Sequence, residues 1–176
     1  MKKVLFLVAV LATLASADGF VFGGNLGYAD ASTTATTAAG SASEDSKATT
    51  YGISLGYELG NARFGMYQNS SAVEDSGDAR SIGGYADYLI PYTENYKFYI
   101  GGQHGIGEQD LSGGASADFE DIGLRGGMLI DFDTEWQLEI GVRHIWRDYD
   151  TIVVSGTSVN SETEVLNTYI GLNYKL

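Results

Sequence analysis

The chain of 176 residues contains no cysteine, a single proline, and only ten basic residues against 23 acidic ones. Without cysteine there is neither a disulfide nor a lipoprotein acylation site, so covalent cross-links contribute nothing to stability. The formal net charge of -13 makes nucleic acid and anionic lipid headgroups poor partners. Long apolar runs are also lacking. Val4 to Leu14 falls short of the about 20 residues that a membrane-crossing helix needs, and nothing later approaches that length. This run follows Lys2 and Lys3 and precedes Ala15-Ser16-Ala17, the pattern of a secretory signal peptide with a small-residue cleavage site. We therefore expect residues 1–17 to be removed and the mature chain to begin at Asp18, two units more negative. Residues 18–176 show neither a composition shift nor a Pro-rich linker, which implies one domain.

What remains is rich in Gly (24) and Tyr (12), and its apolar residues recur with period 2, the spacing of a half-apolar strand. Tyr51, Ile53, Leu55, Tyr57 and Leu59 alternate with Gly and polar residues; so do Ile122, Leu124, Met128 and Ile130, and Trp136, Leu138, Ile140, Val142 and Trp146. Weaker versions run from Phe20 to Ala29, Arg63 to Asn69, Ser81 to Ile90, Tyr96 to His104 and Val165 to Leu176. The connections alternate in length. Gly60-Asn61, residues 91–95 and residues 131–133 are short; residues 30–49, 70–80, 105–118 and 147–163 are long. Segment 30–49, almost all Ala, Ser, Thr and acidic residues, cannot bury a core and reads as a mobile loop.

Period 2 alone leaves open which face is outside. The polar face carries Glu58, Arg63, Asp87, Gln103, Arg125, Gln137, Glu139, Arg143 and Asn173 interleaved with Gly, more charge than most solvated strand faces hold. The opposite face is nearly free of charge, and there Lys or Arg would cost roughly 2 to 4 kcal/mol at mid-membrane. Trp136 and Trp146 lie ten residues apart. At about 3.3 Å per residue and a tilt of about 40°, that spacing rises roughly 25 Å, the height of a barrel's apolar band, and places both indoles, with Tyr174, in aromatic girdles. A two-residue turn at Gly60-Asn61 sets Glu58 opposite Arg63, and a three-residue turn at 131–133 sets Arg125 opposite Glu139, each an opposite-charge pair on the polar face. The expectation is an all-β fold, an eight-stranded antiparallel up-and-down transmembrane β-barrel. Its rival is a water-soluble, lipocalin-like barrel.

The whole length after residue 17 resembles the small eight-stranded bacterial outer-membrane barrels of the OmpA transmembrane-domain and OmpX/Ail type. The most specific piece is the last strand, LNTYIGLNYKL, where Leu166, Ile170, Leu172, Tyr174 and Leu176 alternate to the final residue. The resemblance implies a Gram-negative outer-membrane location, contact with outer-membrane lipid and lipopolysaccharide, and a final strand read by the barrel-assembly machinery, although Leu176 stands where the family usually has Phe. With Leu176 the final residue, the peptidoglycan-binding domain of full-length OmpA-type proteins is not expected. Eight-stranded lipid A deacylases carry a His-x-Ser pair on the lipid-facing surface; here the matching stretch is His144-Ile145-Trp146, so this lipid A-modifying activity is not expected.

His104 and His144 share the apolar parity and read as interfacial polar caps rather than a metal site or triad. Gly123 to Gly127 reads as close backbone packing within a strand. The charges Glu58, Arg63, Asp87, Arg125, Glu139 and Arg143 form a lumen network that fills the narrow barrel or, less readily, gates an ion path. Glu74, Asp75, Asp78, Glu108, Asp110, Asp118, Glu120, Asp121, Asp148 and Asp150 read as soluble loop acids, with divalent-cation binding as the alternative. No cofactor is expected. The functional expectation is a non-enzymatic structural or surface-interaction barrel whose loops meet an extracellular ligand, with a narrow, porin-like pore or small-solute conduit as second choice.

Overall fold

A computed structural model describes residues 19–73, 77–111, 116–154 and 157–176; the expected leader, and Glu74 and Asp75, lie outside the described residues. The strands are β1 (Phe20–Thr37), β2 (Gly40–Leu59), β3 (Ala62–Val73), β4 (Gly77–Pro91), β5 (Tyr96–Asp110), β6 (Ser116–Asp131), β7 (Trp136–Tyr149), β8 (Ile152–Val154) and β9 (Thr157–Lys175). Each of β1 to β6 pairs antiparallel with the next, β7 pairs with β9, and β9 returns to pair with β1, closing a ring of eight strands. The three-residue β8 lies outside the ring, against β9.

The side-chain period of 2 holds around the ring. Along β7, Gln137, Glu139, Arg143 and Ile145 are buried, while Trp136, Ile140, Val142 and Trp146 are exposed. Along β6, Arg125 is 6% exposed and its neighbour Leu124 59%. This is the inverse of a water-soluble barrel: Arg, Asp, Glu, Asn and Gln fill the interior, and Leu, Ile, Phe, Tyr and Trp cover the outside. Among the described residues, the apolar packing inside includes two small clusters. Leu89, Tyr99 and Leu129 make one, and Ala29, Ala48, Ile145 and Val165 the other.

The long connections are where the structure departs from the sequence reading. Residues 30–49 are not a loose loop. β1 and β2 continue in register until Thr37 faces Gly40, leaving Ala38 and Ala39 as the turn. Thr34 and Ser43 hydroxyls meet at 3.0 Å, Thr36 and Ser41 at 3.1 Å, and Thr33 and Thr163 at 2.8 Å across the seam to β9. These β-branched and hydroxyl residues make ladders that need no core. At the turn, the Ala39 N–H donates to Thr37 Oγ1 and Gly40 takes φ +143°. Segments 70–80, 105–118 and 147–163 are likewise largely strand, and β9 begins at Thr157 rather than Val165. Strands of 18 and 20 residues in β1 and β2 far exceed the about 9 to 11 that cross a bilayer, so the ring stands well clear of its apolar band at this end.

The short turns fix the register. Glu58 faces Arg63 across the Gly60-Asn61 hairpin, as its length requires, with Gly60 at φ +59°. Between β6 and β7 the expected pairing is corrected: Arg125 faces Arg143, and Glu139 faces Leu129. Here the Asp133 carboxylate accepts from the Glu135 and Trp136 N–H groups at 2.8 and 2.7 Å, a side-chain-capped turn that consumes extra residues. The slip is even, so every residue keeps its face.

Candidate functional site

The interior is layered from the short-turn end to the long-hairpin end. At the short-turn mouth Lys97 reaches Glu58 at 3.4 Å and Asp131 at 3.6 Å, and Lys175 reaches Asp131 at 2.5 Å. Glu58 thus faces Arg63 in the ladder but pairs with Lys97, because the Arg63 side chain is held elsewhere.

Above this mouth lies a closed cycle of four charges from four strands. Arg63 holds Asp87 at 2.9 Å and Glu139 at 3.0 Å; Arg125 lies 3.2 Å from Asp87 and 3.0 Å from Glu139. Each carboxylate bridges both guanidiniums. The Arg125 Nε–Asp87 Oδ1 contact is an ion pair without hydrogen-bond alignment, and the other three sides of the cycle are hydrogen bonded. Tyr169 donates to Glu139 Oε1 at 2.7 Å, and Asn173 donates to Glu139 Oε2 at 3.1 Å. Tyr99 and Tyr169 hydroxyls meet at 2.6 Å. The Arg125 guanidinium stacks on Tyr85 at 4.3 Å and that of Arg63 on Tyr99 at 4.9 Å, so aromatic faces offset part of the lost hydration of both cations. All four charged side chains are at most 7% exposed. At that depth, removing one partner of such a pair costs about 3 to 5 kcal/mol.

Glycine makes this density possible. A Cβ on Gly141 would collide with the Tyr99 and Tyr169 hydroxyls, and one on Gly101 with the Asp87 carboxylate. Gly127 meets the Gly141 backbone just as closely, so the glycines of β6 serve close packing, as expected.

Beyond the cycle, Arg143 stacks on Tyr169 at 3.9 Å and donates to Asn69 Oδ1 at 3.4 Å, and Asn167 donates to Thr50 at 2.8 Å. The space bounded by Tyr67, Arg125, Glu139, Arg143 and Tyr169 amounts to about 10 Å³, room for one water at most. Above Arg143 the lumen widens into a cup of about 440 Å³. On its wall Arg147 binds Asp121 at 2.9 Å and stacks on Phe119 at 3.8 Å, while Tyr149 donates to Gln109.

Of the six expected lumen charges, the fold brings Arg63, Asp87, Arg125 and Glu139 together, leaves Glu58 at the mouth and sets Arg143 apart above. Asp121 is a correction: it is 1% exposed and ion-paired inside the barrel, not a loop acid. Its odd parity along β6, shared with Arg125, carried that information. Sequence reasoning also missed Tyr67, Tyr85, Tyr99 and Tyr169, which share the polar parity of their strands and are buried.

On the outside, Trp136 packs edge-on against Tyr174 at 4.9 Å near the short turns, and Trp146 stacks on His144 at 4.4 Å nearer the other end. His104 meets Glu120 at 2.6 Å and His144 lies 3.9 Å from Glu164. Among the described residues no group of three His, Asp or Glu is disposed to hold a metal.

No protein-family model and no curated protein matches the chain. Solved structures do. Neisserial surface protein A superposes with a TM-score of 0.62 at 20% identity, covering 90% of this chain and 97% of that one. The outer membrane protein OprG from Pseudomonas aeruginosa superposes with a TM-score of 0.56 at 12% identity, covering 91% and 96%. The ring of eight antiparallel strands, with its greasy outside and charged inside, is therefore the fold of the small outer-membrane β-barrels.

Proposed function

We propose that this chain is an exported outer-membrane barrel with a structural and surface-interaction role and no enzymatic activity. The short turns face the periplasm and the long hairpins project outward. The observation that carries the reading is the four-charge cycle: a lumen filled at that level by paired Arg, Asp and Glu, with about 10 Å³ left beside it, does not pass solutes. What the chain offers its surroundings is then its exterior and its tall outer rim. Lipid and lipopolysaccharide contact the exterior, with Trp136 and Tyr174 in one girdle and Trp146 in the other. The tall hairpins of β1 and β2 present Ser, Thr and acidic side chains to any extracellular partner, and β9 is the segment the assembly machinery would engage. Among the described residues His104 pairs with Glu120, and His144 with Trp146 and Glu164, and none of these partners is a hydroxyl nucleophile.

A narrow conduit is the second reading. It is favoured by polar atoms of Tyr67 and Gln103 that lie buried in mid-lumen without a hydrogen-bond partner. Planar-bilayer recording on the refolded protein separates the two. The surface-interaction reading expects no steady conductance, and removal of the plug charges in Asp87→Ala/Glu139→Ala should create one. Steady conductance in the unaltered protein overturns that reading in favour of the conduit.

A further inference from the structure

Among the described residues, charge inside the barrel is balanced group by group, with one exception. Arg63 and Arg125 are matched by Asp87 and Glu139, Arg147 by Asp121, and Lys97 and Lys175 by Glu58 and Asp131. Arg143, only 5% exposed, has no ion-pair partner among the described residues. Among the described residues its Nε has no hydrogen-bond partner, and its guanidinium only stacks on Tyr169 and makes a long contact to neutral Asn69. A buried guanidinium is costly to leave uncompensated. Arg143 also borders both the narrow gap below and the cup above, so it forms the partition between them.

The cup over it has two kinds of wall. Near Arg143 stand Thr50 and Asn167, whose Oδ1 is buried and unpartnered. Part of the remaining wall is aliphatic, with Ala29, Ala48, Ile145 and Val165 in one cluster, and Ser and Thr hydroxyls line much of the rest. The other carboxylates on the cup are Asp121, already committed to Arg147, and Glu44, exposed and without an ion pair to Arg143. The volume of about 440 Å³ lies in the range of small-molecule sites.

We propose that this cup is a binding site for a small carboxylate with a short aliphatic body, its anionic end on Arg143 and its chain against the Ala29, Ala48, Ile145 and Val165 wall. A planar carboxylate suits a guanidinium, and the bond is charge-assisted and shielded from water. The site depends on the barrel interior alone, so it stands or falls independently of where the barrel resides and whether it conducts.

The test is a titration of the refolded full chain in detergent with sodium butyrate, ionic strength being held constant with sodium chloride. The Arg143 Nε–Hε NMR cross-peak, assigned by its loss in Arg143→Gln, and the Ala48 and Val165 amide peaks are the readouts. The expected result is a saturable shift of all three with butyrate and none with 1-butanol. Affinity read from the amide peaks should be about tenfold or more weaker in Arg143→Gln, as loss of a charge-assisted bond implies. Should Arg143→Gln fail to fold, Ala31→Phe, which fills the cup above an intact Arg143, is expected to abolish the shifts instead. Absence of saturation, an equal response to 1-butanol, inorganic phosphate binding as tightly as butyrate, or unchanged butyrate affinity in whichever variant folds overturns the proposal.

Discussion

Arg125 Nη2 donates to Glu139 Oε1 at 3.0 Å although the two residues are not opposite one another; across β6 and β7, Arg125 faces Arg143 and Glu139 faces Leu129. Two arginines directly opposed in a ladder repel. They are accommodated because their side chains part: Arg125 joins Asp87 and Glu139, and Arg143 stacks on Tyr169. Glu139 is the shared acceptor, taking bonds from Arg63, Arg125, Tyr169 and Asn173.

Glu139→Gln should therefore destabilise the barrel by about 3 to 5 kcal/mol, because two buried guanidiniums would be left with Asp87 alone. Urea-induced unfolding in detergent measures it. Adding Arg125→Gln to the same chain should recover part of the loss, a coupling that independent sites would not show.

Ile140 points outward, 44% exposed, in the middle of the apolar band. Ile140→Lys should weaken folding into phospholipid vesicles by roughly 2 to 4 kcal/mol, with a smaller effect in detergent micelles. Heat-modifiable gel mobility after vesicle folding reports the outcome, and an unchanged folded fraction in vesicles would contradict an outward, lipid-facing Ile140.

Gly141→Ala should cost about 1 to 3 kcal/mol, since the new methyl meets the Tyr99 and Tyr169 hydroxyls beside Glu139. Gly84→Ala is the control. There a Cβ meets only the Gly65 carbonyl oxygen at 3.5 Å, an ordinary contact, and stability should hold.

Lys47 lies in β2 opposite Asp30, in a ladder continuous from Phe20 to Thr37. Trypsin should leave it uncut in the folded protein although the side chain is exposed. Mass spectrometry after limited digestion checks this; rapid cleavage at Lys47 would mean that the hairpin opens.

Which side chains face in and which face out could be read from the sequence, because parity is a property of the strand itself and the turns kept it. Arg63, Asp87, Arg125, Glu139 and Arg143 were all assignable to the lumen in that way. Their partners were not. Arg63 reaches Glu139 across the barrel, a contact that depends on ring closure and stagger rather than on any hairpin. The β6–β7 register slipped because Asp133 caps its turn with a side chain, which turn length alone does not reveal. Residues 30–49 were misread for a different reason. Ala, Ser and Thr suggest disorder when stability is equated with buried apolar area, but here hydroxyl pairs hold the ladder, and β1 has β2 on one side and β9 on the other.

The seam between β1 and β9, with Phe22 opposite Tyr174, joins segments from opposite ends of the sequence. Until it forms, both of these strands present an unpaired edge, and no smaller set of hairpins makes a cylinder without edges. A chain arrested before β9 is thus a self-associating species rather than a smaller barrel. Because closure waits on the most distant contact, assembly is expected to be slow relative to that of a helical protein of similar length.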